Sequence, residues 1–148
     1  MRIGLGSEHH GFELKKNLRS FLESKNYEVI DYGVYSPEPV DYPLVCFRLG
    51  EAVAAGQVDL GVLICGTGIG VSIAANKVKG VRAVVCRSIY EAELSRCHNN
   101  ANVLCIGSWL TGYELAQQMV IHWINVPFEG DRHKRRLELI SQYENKGE

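Results

Sequence analysis

A chain of 148 residues with a formal net charge of −1 is long enough for one domain with a full core. It carries no charge excess toward nucleic acid or a membrane surface. Its five cysteines, Cys46, Cys65, Cys86, Cys97 and Cys105, are odd in number and lack C-x-x-C spacing. This excludes a disulfide framework or a zinc knuckle as the organising device and points to a reducing compartment.

Taken in order, residues 2–5 read as a strand and residues 6–11 as a loop. Phe12, Leu14, Leu18, Phe21 and Leu22 then make the apolar stripe of a helix that runs to about residue 25. Residues 28–31 are a second strand, and residues 33–43 a turn-rich loop with three prolines. A helix is expected over residues 44–55, a buried strand over 60–64 and a small-residue helix over 71–76. Residues 81–86 are a fourth strand. Ser88-Ile89-Tyr90-Glu91 is a capping box that opens a helix to about residue 99. A fifth strand over 103–106, a helix over 111–124 carrying Leu115, Met119 and Trp123, and a last helix over 131–143 complete the chain. No signal-peptide pattern is visible and no apolar run approaches the ~18 residues of a membrane span, so a cytoplasmic protein is expected.

Strands that alternate with helices predict an α/β fold. The expected architecture is a single domain over residues 1–148, a Rossmann-like three-layer α/β/α sandwich. Its five parallel strands are expected in the order 2-1-3-4-5, with an added C-terminal helix. Ligands of such sheets bind beyond the carboxyl ends of the strands. There the chain places Glu8-His9-His10, the loop with Asp41 and Tyr42, Cys65-Gly66-Thr67-Gly68, Arg87, and Gly107-Ser108-Trp109.

The third strand runs into Cys65-Gly66-Thr67-Gly68-Ile69-Gly70 and then into a helix. Strand, glycine-rich turn and helix together aim free N–H groups at one spot, with the positive end of the helix dipole behind them. The result is a seat for an anion, and a cysteine at its lip sits in a field that favours thiolate. A dinucleotide fingerprint fails because Val71 stands where its last glycine belongs. No register supplies the Gly-Lys-Ser/Thr of a phosphate-binding Walker loop. Nor does an arginine stand six places after Cys65, as a cysteine phosphatase loop requires. A lone cysteine would read as a buried small hydrophobe. Three alternating glycines with Thr67 favour a reactive sulfur beside an anion seat.

Glu8 and His9 read as acid/base or substrate-binding groups and not as metal ligands, since adjacent loop residues rarely converge on one ion. His98 and Asn99 end a helix, where they are either a polar C-cap or a titratable pair returned to the site. Arg132 and Arg136, at i and i+4, place two guanidinium groups on one helix face. That face is either solvated or grips a phosphate, and its C-terminal position suits a neighbouring subunit's site. Asp41 reads as a turn cap as readily as a catalytic group.

These segments together resemble the ribose-5-phosphate isomerase B and galactose-6-phosphate isomerase family over nearly the whole chain. The resemblance rests on Gly6-Ser7-Glu8-His9, Asp41-Tyr42-Pro43, the run from Ile64 to Gly70, Ser72-Ile73-Ala74-Ala75-Asn76-Lys77 and Gly80-Val81-Arg82-Ala83. It extends to His98-Asn99, Asn102-Val103-Leu104 and Gly130-Asp131-Arg132-His133 with Arg136. It implies aldose–ketose isomerisation of a sugar phosphate without metal or organic cofactor. Cys65 would move the proton between C1 and C2. Thr67 and the amides of Gly66, Gly68, Ile69 and Gly70 would hold the developing oxyanion, and His98 would open the sugar ring. Glu8, Asp41, Tyr42 and Asn99 would bind the sugar, with His9, Arg132 and Arg136 on the phosphate. A homodimer, or a dimer of dimers, would share the site across its interface. Two residues depart from the pattern. Glu8 stands where the family usually has Asp, and one more methylene moves the carboxylate inward by ~1.5 Å. Trp109 stands where an arginine commonly binds phosphate. Both changes touch substrate recognition, so the same reaction on allose or galactose 6-phosphate, or on a tetrose phosphate, is the alternative. A non-catalytic sugar-phosphate or nucleotide binding module is the third reading.

Overall fold

The computed structural model describes all residues, Met1–Glu148. Five parallel strands, β1 (Arg2–Ser7), β2 (Glu28–Asp31), β3 (Leu60–Cys65), β4 (Ala83–Val85) and β5 (Val103–Gly107), form one sheet. Five helices cover it: α1 (Phe12–Ser24), α2 (Tyr42–Ala54), α3 (Ile69–Ala75), α4 (Ile89–Cys97) and α5 (Tyr113–Asn125). A sixth, α6 (Asp131–Glu144), follows them.

The sheet order is β2-β1-β3-β5-β4, so the expected places of the last two strands are exchanged. The reason is burial. Every residue of β3 and β5 is buried, whereas β4 has three residues and leaves Val84 and Val85 half-exposed. Interior parallel strands are covered on both faces and read as unbroken apolar runs, so β5 takes the inner place and β4 the edge.

Side chains alternate across the sheet. Leu60, Val62 and Ile64 of β3 join Leu14, Leu18 and Leu22 of α1 and Met119 and Trp123 of α5 in one core. Leu63 and Cys65 face the other way, into a second core with Val45 and Leu49 of α2 and Val71 and Ala75 of α3. Cys65 therefore belongs to the α2/α3 face. The capping box forms at α4: Ser88 Oγ accepts the Glu91 N–H at 3.1 Å. Glu91 reaches back one residue further than the motif requires, to the Arg87 N–H at 2.7 Å.

Two features depart from the helical stripes. Lys15 on α1 is only 1% exposed. Its ammonium donates to Asp31 Oδ1 at 2.7 Å and to the Val34 carbonyl, while Asp31 Oδ1 also accepts the Gly33 N–H at 2.8 Å. This clamp ties α1 to the loop after β2. Lys15→Ala leaves the half-buried Asp31 carboxylate with Arg19 at 3.6 Å and the Val34 carbonyl without its donor, so it is expected to lose ~1–3 kcal/mol of stability. Urea unfolding of the two proteins measures the difference. The second feature is α6, which buries only His133 and leaves Leu139, Ile140 and Tyr143 exposed. It stands outside the sandwich. No helix is long and apolar enough to cross a membrane.

Candidate active site

The carboxyl ends of β1, β3 and β5 are laced together. The Glu8 N–H donates to the Ile64 carbonyl at 3.2 Å, Ser108 N–H to Cys65 at 2.8 Å and Trp109 N–H to Gly66 at 3.0 Å. Ser108 Oγ donates to the His10 carbonyl at 2.8 Å. These bonds hold three loops around a cavity of about 310 Å³. The central loop contributes Cys65, Gly66, Thr67 and Gly70 to its lining, and Glu8, His10, Tyr42 and Trp109 supply the rest.

Each glycine of the loop has its own reason. Gly68 turns the chain into α3 at φ 80°, a left-handed conformation that side chains resist. Its N–H donates to Cys65 Sγ at 3.1 Å and so points the sulfur. Gly66 lies under Trp109 and Gly70 under Tyr42: a methyl group on either would meet the ring at 2.7 and 2.9 Å. The Ile69 N–H is taken by Thr67 Oγ1 at 3.2 Å. No protein acceptor takes the amides of Gly66, Thr67 or Gly70. The expected cradle is therefore narrower than the sequence suggests, because the Gly68 and Ile69 amides serve the loop itself.

Cys65 is 8% exposed and opens onto this cavity. Three of the other thiols, Cys46, Cys86 and Cys105, are withdrawn from chemistry. Burial pushes Cys46 up to about 12 and Cys86 up to about 11, and raises Cys105 well above the usual thiol range.

Glu8 does not project into the cavity as a free carboxylate. It caps the 3-10 turn His9–Gly11, accepting the His10 N–H at 2.8 Å, and its other oxygen lies 2.8 Å from His9 Nδ1 and 3.0 Å from His10 Nδ1. The extra methylene folds the carboxylate back onto its own loop. Of the two histidines it is His10 that lines the cavity, packed edge-on against Trp109 at 4.7 Å. His9 and Asp41 line an adjoining hollow with Leu44. Asp41 occupies the N-cap place of α2 but makes no side-chain capping bond. Trp109 is 65% exposed, so it walls the site and does not cover the core.

The remaining predicted residues stand elsewhere. Helices of a parallel sheet run back toward the amino ends of the strands, so α4 delivers His98 and Asn99 to the edge opposite Cys65. Asn102, which follows them, donates to the Arg82 carbonyl and accepts the Gly61 N–H there. The length of β3 separates the two edges, roughly 15–20 Å. The expectation that His98 returns to the site within its own chain is thus corrected by topology. His98 is the C-cap of α4, and its ring stacks on His133 with centroids 4.3 Å apart. Burial, and then the neighbouring His98 and Arg132 charges, lower the pKa of His133. Asn99 lines a groove with Arg82 and Leu137, beneath α6. Arg132 and Arg136 share a hollow on α6 with Arg135, which sequence reasoning missed. It placed His10 at this edge of the sheet without giving it a role, and it missed the grouping of Cys97, Glu129 and His133 around His98. Nothing in the spacing of residues 97–133 announces that grouping.

The chain matches the ribose/galactose isomerase family over residues 3–140. Ribose-5-phosphate isomerase B of Escherichia coli (strain K12) is 48% identical over 145 residues, covering 98% of this chain and 97% of that protein. D-erythrulose-4-phosphate isomerase of Pectobacterium atrosepticum is 37% identical over 147 residues, with 98% and 96% covered. The structure of ribose-5-phosphate isomerase B from Clostridium thermocellum superposes with a TM-score of 0.98 at 47% identity, covering 100% of both chains. With its fold, its cysteine–glycine loop and these relatives in agreement, the chain belongs to the ribose/galactose isomerase family.

Proposed function

We propose that this protein interconverts ribose 5-phosphate and ribulose 5-phosphate through an enediol(ate), with Cys65 as the base that carries a proton between C1 and C2. The observation that carries this reading is the Cys65 sulfur, pointed by the Gly68 amide and opening onto a cavity with uncommitted N–H groups. Its volume of about 310 Å³ suits a small sugar phosphate. Thr67 and the amides of Gly66, Thr67 and Gly70 are the donors available to the oxygen on which charge develops. Glu8, His10 and Tyr42 are the polar groups in reach of hydroxyls.

One chain does not complete the site. Ring opening by His98, sugar contact by Asn99 and phosphate binding by Arg132 and Arg136 need these residues to arrive from a second subunit. The exposed surface supports such a pairing. Leu44, Ile69 and Ile73 are exposed beside the cradle, and Leu139, Ile140 and Tyr143 are exposed on α6. Under a two-fold axis each patch meets the other twice. The protein acts as a homodimer in which α6 and the α4 end of each subunit close the cavity of its partner.

Turnover in D2O tests the chemistry. An isomerase incorporates deuterium at C2 of the aldose, and a binding module incorporates none. A second reading, the same reaction on a tetrose or hexose phosphate, is favoured by the Trp109 ring over Gly66 and by the relative named for erythrulose 4-phosphate. Measured kcat/KM values for ribose 5-phosphate, erythrose 4-phosphate, allose 6-phosphate and galactose 6-phosphate separate the two. Ribose 5-phosphate is expected to rank first, and Trp109→Arg to raise its kcat/KM about tenfold, the worth of one charge-assisted hydrogen bond. If Trp109→Arg leaves the ratio of kcat/KM for ribose 5-phosphate to that for the other sugars unchanged, this residue does not set specificity.

A further inference from the structure

We propose that His10 is a further catalytic residue, the relay that carries the hydroxyl proton between O2 and O1 of the sugar while Cys65 carries the carbon-bound one. The relay rests on the isomerase reading; the placing of the imidazole does not. An aldose becomes a ketose only if two protons move, one from C2 to C1 and one from O2 to O1. Cys65 accounts for the first. The second needs a group of its own, because backbone amides hold charge without delivering a proton.

His10 is held where such a group belongs. Its imidazole lines the cavity onto which Cys65 opens, beside Gly66 and Thr67. Its turn is pressed against β3: a methyl group on Gly11 would meet the Ile64 side chain at 2.6 Å and the Ile64 carbonyl at 2.7 Å. Glu8 Oε1 accepts the His10 N–H, and Ser108 Oγ donates to the His10 carbonyl, both at 2.8 Å. The ring is fixed as well. Its Nδ1 lies 3.0 Å from Glu8 Oε2, and its plane stands at 66° to the Trp109 ring. Nδ1 therefore serves Glu8, and Nε2, which has no partner in the chain, is the ring atom left for a ligand. An imidazole with one nitrogen on a carboxylate and the other free is equipped to carry a proton. His9 shares Glu8 Oε2 at 2.8 Å but lines the adjoining hollow, so His10 is the one imidazole on this lining.

The step balances. The Cys65 thiolate takes the C2 hydrogen, the C–H pair becomes the C1–C2 double bond, and the C1 carbonyl pair goes to O1. The His10 imidazolium, its charge facing Glu8, gives its Nε2 proton to O1. The neutral ring then takes the proton of O2. The O2 pair closes the C2 carbonyl, the C1–C2 pair takes the proton of the Cys65 thiol at C1, and thiolate and imidazolium are restored. The other polar side chains of the lining are less suited. Glu8 is committed, with one oxygen on the His10 N–H and the other between two imidazoles. Thr67 Oγ1 is taken by the Ile69 N–H. Tyr42 offers a phenol, which exchanges its proton near neutrality less readily than an imidazole does.

The two proton movements are separated by running ribose 5-phosphate in D2O and following two initial rates by NMR, ketose formation and deuterium entry at C2 of the remaining aldose. Loss of the relay leaves carbon deprotonation in place, so the intermediate forms and returns without converting. His10→Gln is expected to slow ketose formation about 10²-fold and to raise the ratio of exchange to conversion about tenfold or more. His9→Gln, which faces the adjoining hollow, is expected to raise KM and leave that ratio as in wild type. His10→Ala is made beside His10→Gln, and thermal unfolding shows which variants are folded and can be read. A fall of both rates by the same factor overturns the relay, since His10 would then only shape the cavity or hold the oxyanion. Unchanged rates in a folded His10 variant overturn it too, as does a ratio that moves with His9 and not with His10. Wild type is read first: if it converts none of the four aldose phosphates, the isomerase reading fails and the relay with it. A working wild type beside an unaltered His10→Gln sinks the relay alone.

Discussion

Cys65→Ser is expected to lower kcat by a factor of 10²–10⁴, the range a positioned general base contributes, while the protein remains folded. Serine keeps an acceptor for the Gly68 N–H at almost the same place, so the loop retains its anchor. What is lost is a group able to take a carbon-bound proton, because a hydroxyl is far less acidic than a thiol. Cys65→Ala removes the acceptor as well, which leaves the Gly68 amide unpaired and makes it the less clean test. The measurement is kcat with ribose 5-phosphate, read beside thermal unfolding and deuterium incorporation at C2. All three speak to the same atom. Turnover near the wild-type value in a folded Cys65→Ser protein would remove the thiol from the mechanism. The cavity would then have to isomerise through Glu8 or His10, the other titratable groups on its lining besides Tyr42.

The second large effect concerns assembly. His98→Ala is expected to lower turnover of cyclic substrate by 10²–10⁴ on its own. Mixed with Cys65→Ser and allowed to exchange subunits, the two inactive proteins are expected to regain activity. Random pairing puts half of the dimers in mixed form, and each has one cavity with native Cys65 and native His98, so about one quarter of wild-type activity returns. The expectation follows from topology, because Cys65 and His98 stand at opposite edges of the sheet in one chain. If the mixture stays inactive after exchange is demonstrated, the shared site fails. A pure His98→Ala protein that keeps full activity on cyclic ribose 5-phosphate would dismiss the ring-opening role outright.

Much of the molecule could be read from the letters because its determinants are local. Each strand and α-helix lies within a few residues of its expected place, and Ser88 caps α4 by accepting the Glu91 N–H as their spacing requires. The cysteine–glycine loop was legible too. A positive φ at Gly68 and aromatic rings over Gly66 and Gly70 leave no room for other residues, so the constraint is written into composition. The strand order was not legible. That β5 lies inside β4 depends on which apolar run is covered on both faces, and coverage is settled only when all the layers are stacked. Likewise, sequence put Lys15 on a helix, but only the fold sets its ammonium against Asp31.

The same division runs through the functional residues. Glu8, Tyr42, Cys65 and Thr67 reach one cavity because strand ends share an edge, and that follows from element order. Which of His9 and His10 faces it is decided by the Glu8 cap and the Trp109 ring, contacts between segments far apart in the chain. The placement of His98 shows the limit most plainly. A motif carries residue identity, but the direction of a helix decides at which edge its last residue lands, and α4 runs away from the cavity. Only the folded chain, with α6 standing clear of its own sandwich, shows that His98 lies away from the cavity of its own chain, and the proposed pairing of two subunits rests on that.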